Sequence, residues 1–247
     1  DLQTYVEKHG LFYPPDPSSI RHSTIGGNIA CNAGGPRCLK YGVTGDYVLG
    51  LTVVLADGRI LKTGGKVIKD VVGYDLKSLF TGSEGTLGII TEALLKLTAK
   101  PRYARTALVE FGSIEDASKT VNEILLAGIV PATLELMDQT AINCIEQAMH
   151  LGLPTNVAAF LLIESDGVEL DSTINEIEAI AKICEKSGAT KITVAKDDPE
   201  RASLWKARRS ISPSLARLAP NKLGEDITVP RSAIPEAVKR LKEISNK

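Results

Sequence analysis

Residues 73–91 read "GYDLKSLFTGSEGTLGIIT", with Gly82, Gly85 and Gly88 recurring every third position directly ahead of a β-branched run. Glycine loses more conformational freedom on folding than any other residue. Such a cluster therefore marks either a path that only glycine follows or a surface where a ligand touches main chain. A second stretch upstream, "STIGGNIACNAGG" at 23–35, carries Gly26, Gly27, Gly34 and Gly35 with Asn28 and Asn32 between them. A dinucleotide loop needs G-x-G-x-x-G between a strand and a helix, and a P-loop needs G-x-x-x-x-G-K-[ST]; neither spacing occurs here. Taken singly, the upstream stretch reads equally as a structural loop and as an anion-binding concavity of consecutive N–H groups. Taken together, two glycine-rich segments flanking one hairpin suit a single elongated ligand with a pyrophosphate and a broad ring system.

The hairpin between them is "DYVLGLTVVLADGRILKTG" at 46–64, two alternating apolar runs that bend at Ala56-Asp57-Gly58. Residues 2–9 predict a short helix ended by Gly10. The prolines of "YPPDPSS" forbid regular structure, residues 75–80 predict one or two helical turns, and 86–98 a long strand. Beyond Pro101 the pattern changes to strand 105–111, helix 113–128, strand 132–137, helix 138–149, strand 157–165, helix 169–187 and strand 191–195. That order is a ferredoxin-like sheet with one added helix. A helix over 198–217, a strand over 225–229 and a terminal amphipathic helix, "IPEAVKRLKEISNK", complete it, and the domain boundary falls near Pro101. The fold class is α+β.

Twenty-nine Lys and Arg against thirty Asp and Glu leave a net charge of −1, with no basic block to track a phosphodiester backbone, so nucleic acid is not an expected partner. Cys31, Cys38, Cys144 and Cys184 show no metal-ligand spacing and suit a reducing, cytoplasmic compartment, with or without peripheral attachment to a membrane. No apolar run reaches the roughly 18 residues of a membrane-spanning helix. The opening "DLQTYVEKHGLFYPPDP" and the uncapped final helix both read as the interior of a longer chain.

The motifs "YPPDPSS", "TIGGNIACNAGG", "KYG", "VLGLTVVLADG" and "VGYDLKSLFTGSEGTLGIITEALLKL" together resemble, over residues 12–97, the second half of the PCMH-type flavin-binding domain of the vanillyl-alcohol oxidase family. The likeness is greatest to the group holding the FAD-binding chain of glycolate oxidase, D-lactate dehydrogenase and D-2-hydroxyglutarate dehydrogenase. Residues 101–247 resemble the cap domain of that group. The resemblance implies that FAD lies along Ile25, Gly26, Gly27, Asn28, Ala33, Gly34 and Gly35, with Tyr41 and Gly42 behind them. It also implies that Gly82, Glu84, Gly85 and Ile89 pass beside the flavin and that Pro15 and Asp16 lead into the cofactor. Glu84 has a second reading, as a carboxylate that satisfies loop N–H groups.

In the cap, "SLWKARRSIS" is similar to a W-x-x-R pattern whose Arg binds a substrate carboxylate. This gives Arg208 that role, with Ser212 four residues on along the same helical face. The competing reading is a solvated basic turn, since Lys206 and Arg209 flank Arg208; Trp205 reads as packing. Two departures narrow the expectation. Gly224 stands about where dicarboxylate-specific members carry a Lys, which favours a small monocarboxylate. The family's H-x-x-x-G-D-G-N-x-H segment, which holds a divalent metal and the general base, has no counterpart, and His9, His22 and His150 read as core or surface residues. No catalytic residue is assigned in this chain.

The resemblance thus implies FAD-dependent oxidation of a D-2-hydroxy acid, with electrons passing to a quinone or a partner redox protein in a homo- or hetero-oligomer. The chain alone is expected to hold FAD weakly and to turn nothing over. A non-catalytic scaffold with structural glycine loops is the alternative from another class. An ether-bond or aldonolactone oxidase is a third, disfavoured because neither substrate needs a carboxylate clamp.

Overall fold

The computed structural model describes residues 1–217, 221 and 224–245, arranged in two compact units, Asp1–Pro101 and Arg102–Lys247.

The first unit opens with α1 (Leu2–Glu7) and β1 (Leu11–Phe12), and the prolines that follow run without regular structure. The stretch at 25–30, expected as loop, is instead the short helix α2 (Ile25–Ala30). Thr24 explains it: its hydroxyl accepts the Gly27 N–H at 3.0 Å, the N-cap arrangement that offsets the poor helix propensity of two adjacent glycines. After α3 (Cys38–Tyr41) the chain forms the expected hairpin, β2 (Val48–Val54) and β3 (Ile60–Gly64), with Gly58 at φ +83° in the bend. The helical turns at α4 (Leu76–Phe80) also occur as expected. Strand β4 (Ile89–Leu95) is shorter than the run over 86–98, because the glycine motif extends to Gly88 before pairing begins. β4 lies on the other side of β2, giving a three-stranded antiparallel sheet of order β3-β2-β4, while β5 (Thr98–Ala99) pairs with β1. Ile29, Val48, Leu51, Val53 and Phe80 form the core beneath. Burying each such side chain stabilises by roughly 1.5–3 kcal/mol.

The second unit runs β6 (Tyr103–Phe111), α5 (Ile114–Leu126), β7 (Thr133–Asp138), α6 (Gln139–Met149), β8 (Ala159–Gly167), α7 (Leu170–Lys186) and β9 (Ala189–Val194). The sheet order β7-β8-β6-β9, all antiparallel, is the ferredoxin-like arrangement, with α6 the added helix. Strand β8 is buried from Ala159 through Asp166 because both faces are covered. Leu161 and Ile163 meet α5 and α7 on one face, and Phe160 and Leu162 meet α6 and α8 (Asp198–Arg209) on the other.

Two expectations need correction. The helix over 198–217 is two helices, α8 and α9 (Ile211–Leu215). Pro213 has no N–H to donate and its ring would clash with the Arg209 carbonyl four residues back, so a continuous helix is excluded at that point. Residues 225–229 form no strand: alternation makes a strand only where a ladder partner exists, and none pairs with them among the described residues. The terminal helix is α10 (Ile234–Ser245); its expected last residues, 246 and 247, lie outside the described residues.

No helix of the described residues is long and apolar enough to cross a membrane. All four cysteines are free, with Cys31 exposed, Cys38 half-buried, and Cys144 and Cys184 buried. Burial pushes the Cys184 thiol up to about 12. Since the thiolate is the reactive species, a thiol reagent should modify Cys31 in the native protein and reach Cys144 and Cys184 only after denaturation. Mass spectrometry after a short exposure checks this, and labelling of Cys184 as fast as Cys31 would contradict it.

Candidate functional site

Within the first unit the two glycine-rich segments meet. The Gly82 N–H donates to the Ile29 carbonyl at 2.9 Å and the Glu84 N–H to the Ala30 carbonyl at 2.9 Å, joining the GSEGT loop to the end of α2. The Asn32 carboxamide oxygen accepts the Gly45 N–H at 2.8 Å, and Thr44 bonds the Ala33 carbonyl through both its N–H, at 3.1 Å, and its hydroxyl, at 2.7 Å. Asn32 has no expected cofactor role, although an Asn inside a glycine cluster is a signal of left-handed backbone.

Asn32 has φ +48° and Glu84 φ +52°. Left-handed backbone at residues other than glycine costs on the order of 1 kcal/mol and concentrates at functional sites. Gly82 and Gly85, at φ +81° and +78°, take the same conformation without that cost. Glu84 is exposed and its carboxylate has no hydrogen-bond partner among the described residues, so it does not satisfy the loop N–H groups as its second reading required.

Several polar groups around this junction are uncommitted. The N–H groups of Ile25 and Gly26, in the first turn of α2, have no acceptor among the described residues. Asn28 is buried, yet its carboxamide has no partner among the described residues either. The Ser83 hydroxyl, in the second loop, is a buried oxygen without a hydrogen bond among the described residues. A cleft of about 340 Å³ beside α2 is lined by Gln3, Pro15, Thr24, Ile25 and Asn28 among others. Pro15 is set there by the Gln3 amide, which donates to its carbonyl at 3.0 Å. Asp16, next in chain, accepts the Arg37 N–H at 3.2 Å and so ties this segment to the loop beyond Gly35.

Of the other expected cofactor residues, Gly27 carries the cap contact and Ala33, Gly34 and Gly35 follow α2. Tyr41 and Gly42 close α3: the Tyr41 carbonyl accepts the Tyr47 hydroxyl at 2.8 Å, and burial pushes that phenol up to about 12. Ile89 begins β4 and is exposed. Exposed donors on main chain, an uncommitted amide and an open cleft fit the phosphates and polar edges of FAD.

In the second unit Arg208 sits in the last turn of α8 and Ser212 in α9, so the break near Pro213 removes the shared helical face expected for the pair. Trp205 is buried, and its indole N–H donates to Glu164 Oε2 at 2.6 Å. Glu164 also accepts the Thr106 hydroxyl at 2.8 Å, and Arg201 lies 3.9 Å away. Trp205 is thus packing with a polar anchor. Arg208 does not belong to a solvated basic turn: its Nε donates to Glu135 Oε2 at 2.5 Å, whereas Lys206 and Arg209 are exposed and Arg209 stacks over Trp205. The terminal Nη groups of Arg208 have no partner among the described residues. Neither Glu135 nor Glu164 was expected at a site; a buried-strand pattern that runs on into an acid directly after Ile163 was the available sign for Glu164. His9, His22 and His150 are exposed, and no cluster of metal-ligating side chains occurs among the described residues.

Residues 100–247 match the family described as FAD linked oxidases, C-terminal domain, and residues 1–64 match the FAD binding domain. The chain is 52% identical over its whole length to the glycolate oxidase subunit GlcD of Bacillus subtilis (strain 168), covering 52% of that protein. It is 42% identical to GlcD of Escherichia coli (strain K12), over 97% of this chain and 48% of that one. It is 34% identical to a D-lactate dehydrogenase of Anaerostipes hadrus, over all of this chain and 55% of that one. The chain therefore spans about half the length of these relatives. Solved structures of alkyldihydroxyacetonephosphate synthase share the fold, with a TM-score of 0.69 at 22% identity over 88% of this chain and 41% of theirs. With its larger unit matched along its full length and both units assigned, the chain belongs to the FAD-linked oxidases.

Proposed function

We propose that this chain is part of an enzyme that oxidises a small D-2-hydroxy acid, of the glycolate or D-lactate type, to the 2-oxo acid with FAD as acceptor. The observation that carries the substrate class is Arg208, whose open Nη edge can grip a carboxylate bidentately at any relevant pH. The names of the relatives support the same class.

FAD, when bound, supplies the acceptor for the hydride that leaves C2. The first-turn N–H groups of α2 and the Asn28 carboxamide would hold its polar portion. Gly82, Glu84, Gly85 and Ile89 would flank the flavin, with Gly26, Gly27, Ala33, Gly34 and Gly35 along the pyrophosphate, Tyr41 and Gly42 behind, and Pro15 at the entry. Arg208 would fix the acid by its carboxylate and so orient C2, and Ser212, on the separate helix α9, is the hydroxyl that the family resemblance adds to the substrate contacts. A base, with a divalent metal beside it, would take the 2-OH proton; no cluster of metal-ligating side chains occurs among the described residues. A quinone or partner redox protein would take the electrons.

The test is the purified full-length protein. It should be yellow with a flavin spectrum, and glycolate or D-lactate should bleach that spectrum in the absence of an acceptor. A colourless protein would favour the scaffold reading; a yellow one bleached by neither acid would remove the substrate class.

A further inference from the structure

We infer that Glu135 is the positioning residue of the substrate clamp: it holds Arg208 by Nε and leaves the paired Nη edge for the incoming carboxylate. This rests on the reading of Arg208 as the carboxylate ligand.

The placement follows from strand register. On β7, Thr133, Glu135 and Met137 share one face, because side chains alternate along a strand. Opposite them on β8 are Glu164, Leu162 and Phe160, and opposite those on β6 are Thr106, Leu108 and Glu110. Met137, Phe160, Leu162 and Leu108 belong to the core cluster that receives Trp205, so this is the face on which α8 lies. The helix is anchored there by the Trp205 indole on Glu164, and Arg208, three residues on, lies one turn along the same stripe. From that point its side chain reaches Glu135.

An arginine has a long stem with many rotamers, and ordering it during binding weakens affinity. Glu135 removes that cost beforehand. One Glu135 oxygen takes the single Nε–H, and no other bond to the guanidinium occurs among the described residues. The fork of two terminal amines therefore keeps the geometry that matches a carboxylate. Both partners are largely shielded, with side-chain exposures of 22% and 19%, so the contact is screened less than a surface pair.

The experiment uses the FAD-loaded full-length enzyme and reads kcat, KM for the hydroxy acid, and the Kd of the 2-oxo acid from its perturbation of the flavin spectrum. Glu135→Ala should raise KM and Kd about tenfold with kcat little changed, the loss of one charge-assisted hydrogen bond. Glu135→Gln keeps an acceptor oxygen at the same reach and should recover most of the affinity. Glu135→Asp keeps the charge but falls one methylene short and should resemble alanine. If the alanine variant fails to fold, the Gln and Asp pair decides: a good Asp and a poor Gln would mean charge rather than placement, and would overturn the inference. A lowered KM in Glu135→Ala would also overturn it, by showing that Glu135 competes with substrate. Arg208→Ala separates the two readings. If it raises KM while Glu135→Ala does not, positioning fails and the carboxylate role survives; if it leaves KM unchanged, both fall.

Discussion

Replacing Arg208 with Ala in the full-length enzyme should raise KM for the hydroxy acid about a hundredfold, because truncating one partner of a shielded, hydrogen-bonded charge pair removes upward of 2 kcal/mol. The effect should fall chiefly on KM, since the carboxylate next to C2 keeps its full negative charge before and during hydride loss and is gripped about equally in both. Arg208→Lys should recover only part of it. An ammonium cannot donate two parallel bonds, and it has no Nε for Glu135 to hold. Stability should fall only modestly. The Glu135 carboxylate left behind is 19% exposed and remains partly hydrated, so its loss of a partner costs about 1–3 kcal/mol. Steady-state kinetics with a thermal melt on each variant separate the two effects. A hundredfold loss accompanied by a collapsed melting temperature would make Arg208 a structural residue; an unchanged KM would remove the carboxylate from the site.

The sequence made the ferredoxin-like sheet legible because each of its elements carries its own period and cap. Ser113 caps α5, left-handed Gly128 and Gly188 follow α5 and α7, and β8 opens on the apolar run Ala159–Ile163 because it is covered on both faces. The strand expected over 225–229 failed for the opposite reason: alternation is local, whereas a ladder depends on a neighbour that no window reveals. The helix expected over 198–217 divides in two because Pro213 interrupts the backbone ladder, an effect that the apolar period does not show. In the first unit the meeting of the glycine segments was foreseeable from their shared resemblance. The helix within the first of them was not, because Thr24 as a cap outweighs what two glycines suggest. Glu135 was the least legible of all. Its importance lies in a register between β7, β8 and α8 that joins residues 73 positions apart, and nothing near it in the chain announces a partner.

The glycines of "IGGNIACNAGG" should divide by substitution, and the division answers whether they serve the chain or a ligand. A Cβ at Gly35 would lie 2.3 Å from the Asp16 carbonyl oxygen and 2.6 Å from its carbon. Asp16 stands between two prolines and is tied to Arg37, so that segment has little freedom to withdraw. Gly35→Ala should therefore destabilise the apoprotein by roughly 1–3 kcal/mol, as overpacking does, and weaken FAD through the displaced segment. A Cβ at Gly26 meets nothing within 4 Å, and its backbone is helical. Gly26→Ala should therefore stabilise the apoprotein, by about 0.5–1 kcal/mol on helix propensity alone. With the pyrophosphate against that first turn, the same methyl should weaken FAD roughly tenfold to a hundredfold, an overpacking cost transferred to the ligand. A rise in apoprotein melting temperature with a fall in FAD affinity is a pair of opposite signs that no purely structural role of Gly26 produces. If Gly26→Ala binds FAD as tightly as the parent, the cofactor does not touch α2 there, and the open space beside Gly26 is solvent.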